Sequence, residues 1–575
     1  MNTVLGVVGR GPGADAVTSA LSDADGAVTE LDADSIGDAD FAVVIDEVGA
    51  SVFERANRAE IPWIAVELGG VGGRPRSDVN AAVSGFSPET ACFDCLRARV
   101  AANAEEADGT GGDTPETAEY DAVTERFAGA VAGREAATLA AGGESAILGG
   151  VTELPHAERR LLPVPNCPTC GEPRDRTLGI EYEERTLDEA VSHAELALDE
   201  RLGVIRSLGE VSSFPVPYYL ATVTDTNGFS DASAPGQSAG VADGWDAALM
   251  KALGEGMERY CAGVYREDEF AVARPSDLGN AVSPAEFVRP AGWPDANDDE
   301  LAWVSGRNLA TGELVHLPAE FVHFPPPSAR FKPAITTGLG LGNSTAEAIL
   351  SGLYEVIERD ATMLAWYSSF EPLGLHVEDD GFETLVKRAR AEELDVTALL
   401  VTQDIDVPVV AVAVHRDGEW PKFAVGSGAD LDPDAAARSA LAEALQNWTE
   451  LKSMGKEDAA EAEGSIARYA SFPGSARRFV TPETTIPSSS VGSPVSDGTA
   501  ELEAVVSRAS EALSVYSARV TTRDVASLGF EAVRVLAPEA QPLFTGDAFF
   551  GKRARTVPDE LGFDARPDRE PHPYP

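Results

Sequence analysis

Short, wholly apolar runs alternate with helix-like stretches through the first part of the chain. TVLGVVG (3–9) ends in Gly9-Arg10-Gly11-Pro12-Gly13-Ala14, and a helical pattern follows from Asp15. FAVVID (41–46) and IPWIAVEL (61–68) flank a predicted helix over 50–60. Apolar runs of this length bounded by turn residues are the pattern of strands buried on both faces, so residues 1–70 read as a βαβ-type unit. A polar Gly/Thr/Glu-rich insert around 103–118 precedes a predicted helix over 120–142. From about residue 180 longer helices alternate with strand candidates PVPYYLATVT (215–224), VPVVAVAV (407–414) and PKFAVGSG (421–428). There is no internal repeat of solenoid period. The Ser/Gly/Pro stretch 484–500 reads as a loop, and the last two dozen residues as extended chain. The expected architecture is an α/β domain over 1–178 followed by an α+β domain over 179–575, since 575 residues exceed one ordinary core.

The first turn fits G-x-G-x-x-A, whose helix N-terminus can cradle phosphate, with Glu30 placed to meet a ribose. The competing reading is a tight turn in a scaffold without nucleotide, and no downstream nucleotide-site residue supports the first reading. Charge changes the picture more. Asp and Glu number 95 against 45 Lys and Arg, a net charge of −50, with acid runs at 23–40, 104–121 and 430–434. Such a surface repels nucleic acid and anionic membrane. Few lysines and many small residues resemble proteins of a high-salt (halophilic) cytoplasm, where a Debye length of ~3 Å at 1 M salt screens self-repulsion. No apolar run reaches a membrane span, and the N-terminus lacks a basic n-region, so a soluble, cytoplasmic protein is expected.

Four of the five cysteines form two C-x-x-C knuckles, Cys92/Cys95 and Cys167/Cys170. Two knuckles can close one tetrahedral tetrathiolate site, which suits structural Zn²⁺ and leaves no position open for catalysis. A redox reading needs a single pair beside a thioredoxin-like unit, which the pattern lacks. Cys261, in the apolar stretch after a helix, reads as a buried small hydrophobe rather than a nucleophile.

Three helices carry acids where little solvated face remains. DAALMKALGEGMERYCAG (246–263) holds Glu255 and Glu258, and STAEAILSGLYEVIERDA (344–361) holds Glu347, Glu355, Glu358 and Arg359. DAAARSALAEALQNWTEL (434–451) offers Arg438, Glu443 and Gln446. On a helix, Glu355 and Glu358 lie within roughly 80° and 20° of Glu347, a strip about 16 Å long that is comparable with an extended triphosphate. Carboxylates clustered in a poorly solvated cavity neutralise one another by proton uptake unless a divalent cation offsets them, and Mg²⁺ suits an all-oxygen set that also bridges phosphates. The alternative is three amphipathic helices whose acids reach solvent.

ALGEGMERY (252–260), GNSTAEAILSGLYEVIERD (342–360) and ARSALAEALQNW (437–448) resemble, in order, three nucleotide-site stretches of the YcaO family, and the resemblance covers roughly residues 180–575. It implies that Glu255, Glu258, Glu347, Glu355 and Glu358 hold Mg²⁺ on the triphosphate of ATP, with Arg359 neutralising phosphate charge. Arg185 and Ser192, on an expected helix TLDEAVSHAELALDERLG, match early positions beside the nucleotide, and Asn343 stands where some members have Gln. Glu443 with Arg438 matches a late pair, Ser439 occupying the place of the family's arginine. The end Glu570-Pro571-His572-Pro573-Tyr574-Pro575 is a P-x-P-x-P tail, stiffened toward polyproline II. In azoline-forming members such a tail threads to the active site, which implies the Pro575 carboxylate as proton acceptor; the competing reading is a disordered end. The first 178 residues are similar to the zinc-bearing, ubiquitin-activating-enzyme-like domain of fused azoline cyclodehydratases. The resemblance therefore implies an ATP-dependent cyclodehydratase of bacteriocin-type peptide biosynthesis that forms thiazolines and oxazolines from Cys, Ser and Thr. A thioamide-forming YcaO with a partner protein, a non-catalytic docking scaffold and an adenylating role for residues 1–180 are the rivals. A peptide or protein substrate and a homodimer are expected. No winged-helix clamp is evident ahead of Met1, so a separate leader-peptide-binding protein is expected as well.

Overall fold

A computed structural model describes residues 4–23, 27–104, 119–155, 157–295, 299–461, 466–493 and 498–575. The polar insert expected at 103–118 falls almost wholly outside the described residues, as do parts of the acid runs 23–40 and 104–121. The chain forms two compact units. The first comprises Met1–Arg174 with Leu196–Ser207 and Thr224–Ser233, and the second comprises Asp175–Glu195, Leu208–Val223 and Ala234–Pro575.

The first unit is built on a seven-stranded sheet. Its strands are β1 (Val4–Val8), β2 (Ala27–Glu30), β3 (Phe41–Glu47), β4 (Trp63–Leu68), β5 (Ala81–Phe86), β6 (Gly150–Leu154) and β7 (Ala157–Arg160), in the order β2-β1-β3-β4-β5-β6-β7. The first four run parallel and the rest join antiparallel. The apolar runs at 41–46 and 61–68 are central strands, buried along nearly their whole length. Helix α1 (Pro12–Asp23) begins at the proline rather than at Asp15, since proline's fixed φ suits the first helical turn. Helices α2 (Ser51–Asn57), α3 (Phe93–Ala102) and α4 (Ala122–Ala140) complete the unit. The N-terminus of α1 is already taken: the Gly13 N–H donates to Glu125 Oε1 of α4 at 3.1 Å. A carboxylate of the chain itself sits where a phosphate would, which favours the scaffold reading of the glycine turn.

The second unit carries three strand–helix pairs. They are β8 (Gln237–Val241) with α6 (Trp245–Gly263), β9 (Leu339–Gly342) with α7 (Thr345–Trp366), and β10 (Phe423–Ala429) with α8 (Pro433–Met454). The helix expected from Thr186 is shorter than predicted: α5 (Leu187–Ala194) starts after a Thr186/Glu189 capping box and passes into a 3₁₀ turn, so Arg185 precedes it. Strand β8 pairs with Tyr218–Val223. Strand β9 edges a sheet in which Glu531–Leu536, Tyr516–Arg519, Leu301–Asn308 and Ala271–Ala273 follow, while Leu314–Pro318 also pairs with Leu301–Asn308. Strand β10 edges a second sheet, followed by Val409–His415, Asp395–Leu400, Leu373–His376 and Thr485–Pro487.

Two expectations fail locally. The stretch 484–500 contains the short strand Thr485–Pro487, recruited at a sheet edge by Leu373–His376, and a helix starts at Thr499. The last two dozen residues include helix α9 (Arg553–Glu560), a two-turn helix too short for its buried Ala554 and Val557, which cluster with Leu364, to stand out as an apolar period. Charge adds to that packing. Arg553 binds Asp360 of α7 at 2.7 Å and Asp404 at 2.8 Å, and the Gln541 N–H donates to Asp360 at 2.7 Å. Asp360 is buried, and so is Arg553. Arg553→Ala is expected to cost about 3–5 kcal/mol, because an unpaired carboxylate stays behind in the core, measured by denaturant unfolding of the whole chain.

Candidate functional site

The three strand–helix pairs repeat one packing device. A Cβ on Gly240 would come within 2.2 Å of the Ala248 carbonyl oxygen and the Ala252 nitrogen; on Gly340, within 2.2 Å of the Ala348 carbonyl oxygen; on Gly428, within 2.6 Å of the Ala436 carbonyl oxygen. Each helix backbone therefore lies directly on its strand, an approach only glycine permits. The next helical turn delivers a carboxylate back to that strand. Glu255, Glu355 and Glu443 accept from the N–H groups of Ala239 at 2.8 Å, Gly338 at 2.9 Å and Ser427 at 2.6 Å. All three obey the spacing Gly-x7-Ala-x3-Ala/Gly-x2-Glu, a repeat in the sequence that apolar periodicity does not reveal. The following turn carries Glu258-Arg259 and Glu358-Arg359 in the first two copies, but Gln446-Asn447 in the third.

These side chains form one electrostatic cluster. Arg259 lies 3.1 Å from both Glu255 and Glu258. Arg359 is more loosely held, 3.6 Å from Glu358, 3.8 Å from Glu443 and 4.0 Å from Glu355. The Ser427 hydroxyl donates to Glu358 at 2.7 Å. Burial pushes the Glu258 carboxyl up to about 7, against Arg259 and with help from Glu355 and Glu255. Burial likewise pushes Glu358 up to about 7, opposed by Arg359 and reinforced by Glu443. Glu443 is also raised, first by desolvation. Arg359 stays firmly charged: desolvation would lower its pKa, but Glu358, Glu443 and Glu355 raise it further.

The remaining expected positions make their contacts elsewhere in the second unit. Asn343 donates through its backbone and side chain to Glu347 at 2.9 and 3.0 Å, at the Ser344-capped start of α7. The segment before α5 is tied to the same helix end, since the Glu181 N–H donates to Thr345 and the Ala346 N–H to Glu181. Arg185 donates to the Gly529 carbonyl and pairs with Glu183, and Ser192 is exposed with its hydroxyl spent on the Asp188 carbonyl. Neither is joined to the glutamates by a hydrogen bond or ion pair among the described residues. Arg438 is paired with Asp379 at 2.8 Å rather than with Glu443. The tail is folded onto the unit: Trp366 donates to the Glu570 carbonyl at 2.9 Å, Tyr469 to that of Pro571, and the His572 Nε2 is 2.7 Å from the Phe544 carbonyl. Tyr574 is buried and feels the charges of Glu358 and Arg359, and Pro575 is half-buried.

Three cations were not singled out from sequence. Arg259 belongs to the same E-x-x-E-R ending as Arg359 and was legible there. Lys251 lies one turn before Glu255, and Glu443 and Asp243 oppose the desolvation that lowers its pKa. Arg534, buried in the strand Glu531–Leu536, is pushed down to about 10 by desolvation despite Glu355. Its strand is distant in sequence, which gave no signal. The buried Arg359 Nη1 and the Tyr574 hydroxyl have no hydrogen-bond partner, while the Arg259 Nη1 meets Glu258 as an ion pair. An orphaned buried donor costs about 1–3 kcal/mol, so the cluster fits an added anion together with a cation for its carboxylates.

In the first unit the four knuckle cysteines converge, with sulfurs all within 4.8 Å. Cys92–Cys95, Cys92–Cys167 and Cys95–Cys170 are 3.9, 3.6 and 3.4 Å apart, close to the roughly 3.8 Å edge of a tetrahedron with ~2.3 Å Zn–S bonds. Gly171 closes the second knuckle, where a Cβ would meet the Cys167 carbonyl oxygen at 2.2 Å. Hydrogen bonding with Cys167 and Cys170 pushes the Cys92 and Cys95 thiols up, so a compact thiol set of this kind calls for a cation. The four could hold Zn²⁺. Elemental analysis is expected to find one zinc per chain, lost together with thermal stability in Cys167→Ser.

Residues 239–541 match the family model described as YcaO cyclodehydratase, ATP- and Mg²⁺-binding. The match spans more than half of the chain, which therefore belongs to the YcaO family. An uncharacterized protein of Methanothermobacter thermautotrophicus is 35% identical over 233 residues, 38% of this chain and 58% of that protein. A Rhizobium leguminosarum bv. trifolii protein described as uncharacterized, in the tfuA 3′ region, is 27% identical over 208 residues, 32% of this chain and 49% of that protein. The chain thus spans about half the length of these curated relatives. By fold it resembles a heterocyclase solved in complex with substrate and cofactor (TM-score 0.74, 22% identity, 98% of this chain and 83% of the other). It also resembles the Methanopyrus kandleri YcaO bound with AMPPCP and Mg²⁺ (TM-score 0.51, 23% identity, 64% and 94%). No described helix is long and apolar enough to cross a membrane.

The raised carboxyls have a measurable consequence. With a folded pKa of about 7 against an ordinary 4.5, Glu358 binds more protons in the native than in the unfolded state between those values. Its neutral form is the one the fold tolerates, so stability falls as pH rises through that window. Ligand-free Glu358→Gln, neutral throughout, is expected to be more stable than the parent at pH 8, and the gap should close toward pH 4.5. Paired urea titrations read the difference.

Proposed function

We propose that the chain is an ATP-dependent enzyme that activates a backbone amide oxygen of a polypeptide and closes thiazoline or oxazoline rings from Cys, Ser or Thr. The observation that carries this reading is a buried cluster in which carboxylates and two arginines meet, with the tail residue Tyr574 within reach of their charges. Amide oxygen is a poor leaving group. The substrate's thiol or hydroxyl adds to the preceding carbonyl and closes the ring, and the former carbonyl oxygen then has to leave, with loss of the amide N–H proton, before the azoline C=N bond can form. ATP with Mg²⁺ would supply the phosphoryl group that lets that oxygen depart as phosphate.

The chain's own residues supply position and charge. Glu255, Glu258, Glu347, Glu355 and Glu358 offer the hard oxygen donors that Mg²⁺ takes, and Glu443 completes the acidic wall. Arg359, whose Nη1 has no hydrogen-bond partner, and Arg259 supply the positive charge that meets phosphate, and burial strengthens that attraction. Arg185, Ser192, Asn343 and Arg438 flank the nucleotide in this reading. The tail brings the Pro575 carboxylate to the cluster as proton acceptor for the attacking thiol or hydroxyl. Zn²⁺ at the cysteines is structural. The heterocyclase and nucleotide-bound YcaO structures support the reading through their common fold, and a separate leader-peptide-binding protein and a homodimeric assembly go with it.

Two outcomes check it. Glu355→Gln is expected to lower ATP turnover by about 100-fold or more, with ADP and phosphate rather than AMP as the parent's products. Removal of residues 571–575 is expected to abolish ring formation, read as loss of one water's mass per ring from a Cys-bearing peptide, while nucleotide binding survives. Unchanged turnover in both variants contradicts the assignment, and exchange of oxygen for sulfur in the product points to thioamide formation instead.

A further inference from the structure

The second unit has a basic groove that the acidic composition does not lead one to expect. Arg477, Arg478, Arg566 and Arg569 line it, with Trp366 at its base and Glu371 and Glu483 as its only acids; it encloses about 1290 Å³ of space open to solvent. Four arginines against two glutamates is a local excess of positive charge on a chain of net charge −50. Two of the arginines are committed. Arg569 stacks 4.0 Å above the Trp366 ring and donates to its carbonyl, and Arg477 pairs with Asp417 at 2.8 Å. Arg478 and Arg566 are exposed and make no ion pair among the described residues. An excess of like charge raises the energy of the free protein, and a carboxylate-bearing ligand relieves it through bidentate contacts.

The groove's place suggests the source of those carboxylates. Trp366 ends α7, seven residues beyond Arg359, or about 10 Å along the helix. Arg566 and Arg569 begin the segment that runs on to the buried Tyr574 beside Glu358 and Arg359. The groove therefore lies at the start of the segment that leads to the glutamate cluster.

We propose that this groove binds an acidic segment of the polypeptide substrate, flanking the residue to be modified, through Arg478 and Arg566 with Arg569 as a fixed third contact. This rests on the reading that the substrate is a polypeptide. A nucleic acid is the less favoured occupant, because the chain's overall charge repels a long polyanion.

The test is fluorescence anisotropy of the full chain with fluorescein-labelled hexaglutamate, hexaglutamine and hexauridylate at one fixed salt concentration. Hexaglutamate is expected to bind and hexaglutamine not. Arg478→Glu/Arg566→Glu is expected to weaken hexaglutamate binding about tenfold or more, and Arg478→Gln/Arg566→Gln by less, with basal ATP turnover and melting temperature unchanged. Equal binding by the parent and the charge-reversed variant, no binding of hexaglutamate, or tighter binding of hexauridylate through the same arginines overturns the proposal. Anisotropy needs no turnover, so the groove is decided independently of the amide-activation reading.

Discussion

Ionised carboxylates are costly to desolvate, and the second unit collects them nonetheless. Glu255 and Glu443 are each held by a strand N–H and Glu355 by the N–H just before its strand, while Glu258 and Glu358, one turn further on, depend on Arg259, Arg359 and Ser427. That compensation is incomplete, since Glu258 and Glu358 remain protonated up to about pH 7. A ligand carrying both cationic and anionic charge, as proposed, would finish a site that is electrostatically unfinished by itself.

The fold exists around this requirement. Seating a helix directly on a strand at Gly240, Gly340 and Gly428 fixes where the next turn points, so three separate segments aim carboxylates into one volume. Helix α7 is the centre of the arrangement. It carries Glu347 at its start, Glu355, Glu358 and Arg359 in the middle, and Asp360 on its other side, where Arg553 anchors the segment leading to the tail. Trp366 at its end then receives the backbone of Glu570. One helix thereby couples the charged cluster, the C-terminal segment and the basic groove.

Much of this was legible in the sequence because it is local. The glutamates stood out as acids on apolar helices, the E-x-x-E-R endings advertised their likeness, and the paired C-x-x-C knuckles specified a four-sulfur cluster. What was missed is non-local or weakly periodic. Arg534 comes from a strand far along the chain; α9 is too short to show an apolar period and is anchored in part by ion pairs; and Leu196–Ser207 and Thr224–Ser233 join the first unit after the chain has entered the second. The Gly-Ala-Ala/Gly-Glu spacing was present in the sequence but concerns backbone approach, which hydrophobic patterning does not register. The glycine turn at 9–13 has the form of a phosphate cradle, and only the structure reveals Glu125 seated on it.

In the proposed function a metal-bound triphosphate completes the glutamate cluster. Isothermal titration of the purified chain with a non-hydrolysable ATP analogue, with Mg²⁺ and then with EDTA, addresses it most directly. One nucleotide per chain, bound only when Mg²⁺ is present, is the result the account predicts. Binding of equal strength without the metal, or no binding at all, would contradict it.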